Sequence, residues 1–271
     1  MPVMKKCKSK KSIMQTNQHI HHNNYMQLQA LDIGCMCENN FAGNGLIYKD
    51  NRFDFCKRVV DEYKSAVKHN KISLQKLAAQ YELYNANLIK EMTELAIVII
   101  ARNIAESTVM SNEEKYNEIV KLYERQANLS QRTSQSIIFQ QYSTPAPISY
   151  IASSYVAKNN TSSSQYFEPS AGNGLLTIAL PTKQTIVNEV DDIRLDNLKY
   201  QPYKKVTNQD ATQPFTEYYK KFDGIVTNPP FGTMAEAVIY DGYPIKTLDH
   251  LMSLRALDTM KDDGRAAIII G

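Results

Sequence analysis

Residues 167–175, with the sequence FEPSAGNGL, constrain the fold of this chain more than any other segment. Residues 165–168 have the character of a short buried strand, and Gly172 and Gly174 follow at once. These glycines let the backbone turn tightly and approach a ligand closely, because neither carries a Cβ. The apolar residues from Leu175 onward then predict a helix, which completes a strand–turn–helix unit. A turn without a ligand is the alternative that this stretch alone leaves open.

Three further strand candidates follow, and each leads into polar residues. They are residues 185–190, with Glu189 near the end, residues 205–208, just before Asp210, and residues 223–227, which run into NPPF. In open parallel sheets, ligands bind at the carboxyl ends of the strands. A carboxylate at the tip of the second strand is placed to accept two hydrogen bonds from a ribose diol. The order of elements therefore predicts an α/β sheet with a ligand site at one edge.

FEPSAGNG followed by NPPF resembles the N6-adenine DNA methyltransferases, which use S-adenosylmethionine. The segment at 139–145, FQQYSTP, resembles the cofactor motif that precedes the glycine-rich turn in the same family. The resemblance covers residues 139–271. It implies a Rossmann-like class I methyltransferase sheet and DNA as the partner, in a restriction–modification or mobile-element system.

The resemblance also implies roles for individual residues. Asn228 and the carbonyl of Pro229 would accept the hydrogens of the adenine amine, Pro230 would help to stiffen the backbone, and Phe231 would stack on the extruded base. The residues implied for cofactor binding are Thr144, Pro145, Glu168, Gly172, Gly174, Glu189 and Asp210. Among them, Glu189 would hold the ribose and Asp210 the adenine amine of the cofactor. No metal is required for this chemistry.

Several of these residues have a structural interpretation as well. Asp210 could be a helix cap, Glu189 could be a solvated strand end, and Asn-Pro-Pro is an ordinary turn sequence wherever no strand precedes it. Two other functions also stay open. One is methylation of a protein glutamine or of RNA, and the other is a non-catalytic fragment that binds cofactor or DNA only with a partner.

Ahead of the motifs, the sequence predicts a helical domain over residues 51–135. Apolar side chains recur there at the spacing of one helix face, including Val67 after the first run. Ser111 and Glu114 form a predicted capping box, with Tyr123 assigned to the inner face of the helix that follows. Residues 95–101 are interpreted as buried helix. The predicted domains are thus a loosely ordered segment over 1–50, the helical domain, and the methyltransferase domain over 136–271.

The composition says more about where in the cell the protein is found than about the reaction it would catalyse. The net charge of +3 is too small to indicate nucleic acid by itself, and the lysines among the first twelve residues are interpreted as a solvated tail. No signal peptide is visible, and the longest apolar run is too short for a bilayer, so we expect a cytoplasmic protein. The cysteines and histidines near the N-terminus lack the usual spacing of zinc ligands, which disfavours a metal site.

The C-terminal part departs from the family. Residues 232–246 show no strong pattern, and they are interpreted as a loop that is either a lid, a DNA contact or an ordinary connection. Residues 248–260 are predicted as helix and residues 265–270 as a fifth, buried strand. Members of the family carry two further strands and a target-recognition region. The expectation is therefore an incomplete sheet whose activity depends on a companion chain or specificity subunit.

Overall fold

The computed structural model describes residues 50–127 and 143–271, all of which belong to one compact unit, Leu31–Gly271. Several predictions lie outside the described residues. They concern the loosely ordered segment, the lysine-rich tail, the cysteines and histidines before residue 50, and residues 139–142 of FQQYSTP. Within the described ranges, no helix is both long and apolar enough to cross a membrane.

Four helices lie within the described residues 50–127. They are α1 (Asn51–Lys64), α2 (Lys71–Ala79), α3 (Ala86–Ala105) and α4 (Asn112–Arg125). The predicted capping box is confirmed: the backbone N–H of Glu114 donates to the Ser111 hydroxyl at 3.2 Å, and the N–H of Ser111 donates to the Glu114 carboxylate at 2.7 Å. Residues 95–101 lie within α3 and are almost entirely buried, as predicted.

Two positions of the predicted helical core are wrong. Tyr123 is 44% exposed, and Leu122 is buried instead, because Leu122 completes the i, i+3 spacing with the buried Ile119. Val67 is 41% exposed, since α1 ends three residues earlier and the chain turns away. In both cases the apolar pattern correctly indicates a helix. The buried position is one residue before Tyr123, and the helix ends almost one turn before Val67.

Seven strands follow in the described residues. They are β1 (Tyr166–Glu168), β2 (Thr185–Asn188), β3 (Lys205–Thr207), β4 (Phe222–Thr227), β5 (Thr233–Tyr240), β6 (Tyr243–Thr247) and β7 (Met260–Ile268). Five of them form a parallel sheet in the order β3-β2-β1-β4-β7. The predicted α/β fold with a five-stranded parallel sheet is therefore confirmed, and it is compatible with a Rossmann-like fold. The strand order reverses between β1 and β4, where ligands bind in such sheets.

Three more helices, α5 (Ala146–Val156), α6 (Asp192–Lys199) and α7 (Leu248–Leu257), accompany the sheet. The side chains of β1 point alternately to its two faces, and both faces are covered. Phe167 packs in one apolar cluster and stacks on Phe222 with 4.9 Å between ring centroids, while Tyr166 packs in another cluster with Val156. Burial on both faces explains why the adjacent residues Tyr166 and Phe167 are both apolar and both buried.

The segment after the glycine-rich turn was predicted as a helix from Leu175 onward, and this prediction is wrong. Only a three-residue 3₁₀ helix forms, Leu175–Thr177, and Pro181 follows closely. The apolar side chains that suggested a helix are buried for another reason. Leu175 and Ile178 pack into the same hydrophobic cluster as helices α1 to α4. The division between a helical and a methyltransferase domain remains a prediction, but this cluster contains residues of both segments.

Residues 232–246 were interpreted as a loop, which is also wrong. Strands β5 and β6 pair there as an antiparallel hairpin. Its turn consists of Asp241 and Gly242, whose φ angles of 46° and 84° are both positive. Asp-Gly is favoured in such two-residue turns because both positions need the left-handed region. The Asp-Gly pair between Tyr240 and Tyr243 was thus the sequence signal for this hairpin.

The fifth strand of the sheet, β7, starts earlier than predicted and is less buried. It was expected as a buried strand over residues 265–270, but it begins at Met260, and its apolar residues are only partly buried. Ile270, which lies beyond its end, is 55% exposed. The reason is the strand order, because β7 pairs with β4 and occupies an edge of the sheet. An apolar sequence alone does not distinguish an edge strand from a central one.

Candidate functional site

A cavity of about 360 Å³ opens where β1, β2, β3 and β4 end, at the reversal of strand order. This volume lies within the range of roughly 300–1,000 Å³ that is typical of small-molecule sites. The predicted site residues that line it are Thr144, Gly172, Glu189, Asp210, Asn228 and Pro230. The predicted site residues that lie outside its lining are Pro145, Glu168, Gly174, Pro229 and Phe231. The structure thus brings residues of FQQYSTP, of the glycine-rich turn, of the ends of β2 and β3 and of NPPF to one cavity.

The two glycines of the turn have different surroundings. Both have positive φ, +56° at Gly172 and +92° at Gly174. A Cβ at Gly172 would meet only the Arg194 side chain, at 3.8 Å from Nη1, so this backbone is accessible from the cavity. A Cβ at Gly174 would overlap the hydroxyl of Tyr203. Gly172 therefore permits a close approach of a ligand, whereas Gly174 permits the packing behind the turn.

Glu189 follows β2 directly and is buried, so it is not a solvated strand end. Its Oε2 accepts a hydrogen bond from the N–H of Gly172 at 2.7 Å. Its Oε1 accepts hydrogen bonds from the N–H groups of Val190 and Asp191, both at 2.9 Å. Burial raises the pKa of Glu189, although these N–H groups act in the opposite direction. The carboxylate fixes the glycine-rich turn against β2 and borders the cavity at the same time.

Asp210 lies just after β3 and is exposed. Its Oδ1 accepts hydrogen bonds from the N–H of Thr212 at 2.9 Å and from the Thr212 hydroxyl at 2.8 Å. The side chain therefore caps a turn, and no helix starts there. Asp210 also belongs to the cavity lining, as does Glu189 after the neighbouring strand β2.

Asn228 and Thr144 are in contact in the cavity lining. The Asn228 side chain donates from Nδ2 to Oγ1 of Thr144 at 2.9 Å, and this bond fixes the plane of the amide. Asn228 follows β4, whereas Thr144 precedes α5, so the contact joins the NPPF sequence to the end of FQQYSTP. The next residue, Pro229, is buried behind the cavity. Phe231 is half-buried beside Gly271 and does not reach the cavity.

Glu168, the last residue of β1, is completely buried beneath the turn. Its Oε1 accepts hydrogen bonds from the N–H and the hydroxyl of Ser170, at 3.1 and 3.3 Å. Burial raises the pKa of Glu168 to about 8. The residue supports the turn from below, and the structure does not bring it to the cavity lining.

A buried polar network behind the turn was not foreseen from the sequence. Glu91 of α3 accepts hydrogen bonds through Oε2 from Arg194 Nε at 2.9 Å and from Asn173 Nδ2 at 2.7 Å. Asn173 lies between the two glycines, and its Oδ1 accepts a hydrogen bond from Asn197 of α6 at 2.8 Å. These bonds connect α3, the glycine-rich turn and α6. They hold the turn in place, and two members of the network, Asn173 and Arg194, also line the cavity.

The same helix contacts the segment after the turn through a second cation. Arg102 donates to Gln201 Oε1 at 2.8 Å, to the Tyr203 hydroxyl at 2.5 Å and to Thr177 Oγ1 at 3.2 Å. Thr177 in turn donates to the carbonyl of Gly174 at 2.8 Å. Charged residues on one face of an otherwise apolar helix were the available sequence signal. That signal identifies a buried polar face but not its partners.

Two charged lining residues were also missed, Glu94 of α3 and Arg194 of α6. A third missed residue, Asn188, is fully bonded: its Nδ2 donates to the carbonyls of Pro169 and Gln209, at 2.9 and 2.8 Å. Asn188 thereby clamps the loops after β1 and β3. In the described residues, no group of three or more histidine, cysteine or acidic side chains is arranged to hold a metal ion.

No protein-family model matches the sequence, and no curated protein matches it. Among solved structures, the chain is similar to the type IIG restriction endonuclease BpuSI, with a TM-score of 0.27 and 16% sequence identity. The similarity covers 72% of this chain and 23% of that chain, so this chain spans about a quarter of that protein's length. The similarity is weak and assigns no role to any residue of the cavity.

Proposed function

We propose that this protein binds S-adenosylmethionine in the cavity and transfers its methyl group to the N6 amine of adenine in DNA. One observation carries the proposal: Asn228 and Pro230, at the end of β4, line the same cavity as Gly172 and Glu189. In the proposed site, Glu189 would bind the nucleoside and Asn228 would accept the planar amine within the same cavity. Each lies at the end of a parallel strand, as expected for a ligand site in such a sheet.

The charges of the cavity support this choice of cofactor over a nucleotide with phosphates. Its lining contains the acidic residues Glu94, Glu189 and Asp210 and one basic residue, Arg194. An excess of carboxylates repels phosphate groups and favours a ligand with net positive charge. S-adenosylmethionine has a sulfonium and an ammonium group against one carboxylate, so its net charge matches this lining.

The residues present fit such a ligand. Glu189 would accept hydrogen bonds from the ribose hydroxyls, Asp210 would accept one from the adenine amine, and Gly172 would let the backbone approach. When bound, the cofactor supplies a methyl group on a positively charged sulfur. Positioning then dominates the reaction, because the transfer needs only a nucleophile held in line with that methyl group.

The exocyclic amine of adenine is a poor nucleophile, because its lone pair is delocalised into the ring. In the proposed mechanism the side-chain oxygen of Asn228 and the carbonyl of Pro229 accept the hydrogens of this amine and direct electron density to its nitrogen. The Thr144 hydroxyl holds the Asn228 amide in one orientation through the 2.9 Å bond. Consecutive prolines restrict φ and keep the backbone acceptor fixed. Sequence recognition would come from a companion chain or specificity subunit.

The proposal is tested by titration calorimetry and by a methylation assay on the full chain. We expect saturable binding of S-adenosylmethionine that Glu189→Ala weakens. In the assay with labelled cofactor, we expect methyl transfer to adenine-containing DNA but not to the same DNA with N6-methyladenine. Asn228→Ala should reduce transfer by ~100-fold or more, by analogy with the loss of one preorganised hydrogen-bonding group, and leave cofactor affinity within about twofold. Absence of binding by the folded chain, or equal loss of transfer and affinity in Asn228→Ala, would contradict the proposal.

A further inference from the structure

Helix α3, which belongs to the segment ahead of the motifs, contributes a carboxylate to the cavity. Glu94 is 8% exposed and lines the cavity together with Ser143. Its Oε1 accepts a hydrogen bond from the Ser143 hydroxyl at 2.5 Å. Within residues 50–127 and 143–271, no donor forms a hydrogen bond with its Oε2. One oxygen of this carboxylate is thus oriented by the protein, and the other can accept from a ligand.

Arg194 provides the opposite charge in the lining of the same cavity. Its Nε and Nη2 donate to Glu91 at 2.9 and 3.3 Å, which holds the guanidinium in one orientation. In the described part of the chain, no acceptor forms a hydrogen bond with Nη1, the nitrogen nearest to Gly172. Glu91 and Glu94 are three residues apart on one helix, so their side chains are neighbours on the same face. Arg194 therefore contacts the face of α3 that carries both glutamates.

We propose that Glu94 and Arg194 form a subsite for the zwitterionic end of an α-amino acid, with Glu94 receiving the ammonium group and Nη1 of Arg194 the carboxylate. This inference rests on the proposed function, because S-adenosylmethionine ends in such a group. Glu189 and Asp210, which follow β2 and β3, also line the cavity and are left for the nucleoside. A cation and an anion in one site favour a zwitterion over an uncharged group, because each forms a charge-assisted hydrogen bond with the ligand.

The electrostatics agree with this geometry. Burial lowers the pKa of Arg194, but the charges of Glu91 and Glu94 outweigh burial and raise the pKa above its usual value. The guanidinium therefore remains charged in a largely buried position. It follows that the helical segment is part of the ligand site as well as a support for the turn.

The test compares two ligands that share the nucleoside and a neutral thioether. S-adenosylhomocysteine carries the amino acid end, and 5′-methylthioadenosine lacks it. We expect wild type to bind S-adenosylhomocysteine at least ~10-fold more tightly, since charged hydrogen bonds are among the stronger ones. Glu94→Gln should weaken S-adenosylhomocysteine by about 10- to 100-fold and leave 5′-methylthioadenosine within about twofold. The matched control is Glu124→Gln on α4, an exposed residue, which should change neither affinity.

The outcomes separate this inference from the proposed function. Binding of both ligands to wild type with no preference between them would overturn the subsite without any variant being needed. An effect of Glu94→Gln that is absent, or equal for both ligands, would also overturn the subsite and leave the proposed function intact. A folded wild-type chain that binds neither ligand would overturn both. Thermal unfolding of Glu94→Gln, which retains the acceptor for Ser143, shows whether the variant is folded.

Discussion

Glu91 and Glu168 are both buried next to the glycine-rich turn, but their surroundings affect a negative charge in opposite ways. Burial alone would raise the pKa of Glu91, yet the charges of Arg194 and Lys90 outweigh burial, so this pKa lies below its usual value. Burial is also the largest influence on Glu168, and it raises the pKa of that carboxyl to about 8. In the described part of the chain, no cation forms an ion pair with Glu168.

The difference shows how this region uses buried acids. Glu91 is ionised, and its hydrogen bonds to Arg194 and Asn173 join α3 to the turn. Glu168 is mostly protonated at neutral pH and supports the turn through Ser170 without a counter-ion. The negative charge of Glu91 is thus stabilised by Arg194, whereas Glu168, without a cation beside it, stays protonated.

The largest expected effect is a loss of stability when the ionised residue of this comparison, Glu91, is removed. Glu91→Ala leaves the guanidinium of Arg194 buried without its ion-pair partner. We expect a loss of about 3–5 kcal/mol in the free energy of unfolding, as when one member of a buried ion pair is removed. Urea denaturation at pH 7 measures this loss, with Glu124→Ala as an exposed control that should stay within about 0.5 kcal/mol of wild type. A loss below about 1 kcal/mol would show that the network does not hold the turn.

The second expected effect is a pH dependence of the stability, and it comes from the protonated carboxyl of Glu168. Because the pKa of Glu168 is raised from 4.5 in the unfolded chain to about 8 in the fold, the folded state binds more protons between these values. Its contribution to stability therefore falls as pH rises from about 5 to 8, by up to about 1.4 kcal/mol per pH unit. Glu168→Gln should remove this slope and retain the acceptor for Ser170.

Denaturation of wild type and Glu168→Gln at pH 5, 6 and 7 measures the difference between their slopes. Glu189 also has a raised pKa, but it is present in both proteins, so the difference isolates Glu168. Parallel pH profiles for the two proteins would mean that Glu168 is ionised in the fold. The contrast with Glu91 would then not hold.

The smallest expected effect is the difference in stability between two alanine variants of the turn. One is at Gly172, which borders the cavity, and the other at Gly174, which packs against Tyr203. Gly172→Ala should destabilise the fold by about 1 kcal/mol, the cost of a left-handed backbone for an alanine, because its Cβ has space. Gly174→Ala has the same backbone cost and also displaces Tyr203 from its contacts, which adds about 1–3 kcal/mol. Thermal or urea unfolding of both variants measures the difference. Equal losses would mean that Tyr203 yields without cost and that the two sides of the turn are equivalent.

The sequence alone determined the order of the parallel strands along the chain and the edge at which a site would form. Hydrophobic runs, the two glycines and the polar residues after each run suffice for this, because they are local signals. They also placed Gly172, Glu189, Asp210 and Asn228 at strand ends, and these residues do meet at one cavity. The sequence also predicted the capping box of α4 correctly, from Ser111 and Glu114 alone.

The tertiary structure decided which polar groups face the cavity and which face each other. Glu91 and Glu94 look alike in the sequence, and only the position of Arg194, 103 residues after Glu91, assigns one to the network and leaves the other in the cavity lining. The short 3₁₀ turn at Leu175–Thr177 likewise depends on a core supplied by distant helices. Contacts between residues far apart in the chain leave no periodic pattern, so their partners emerge only when the elements pack.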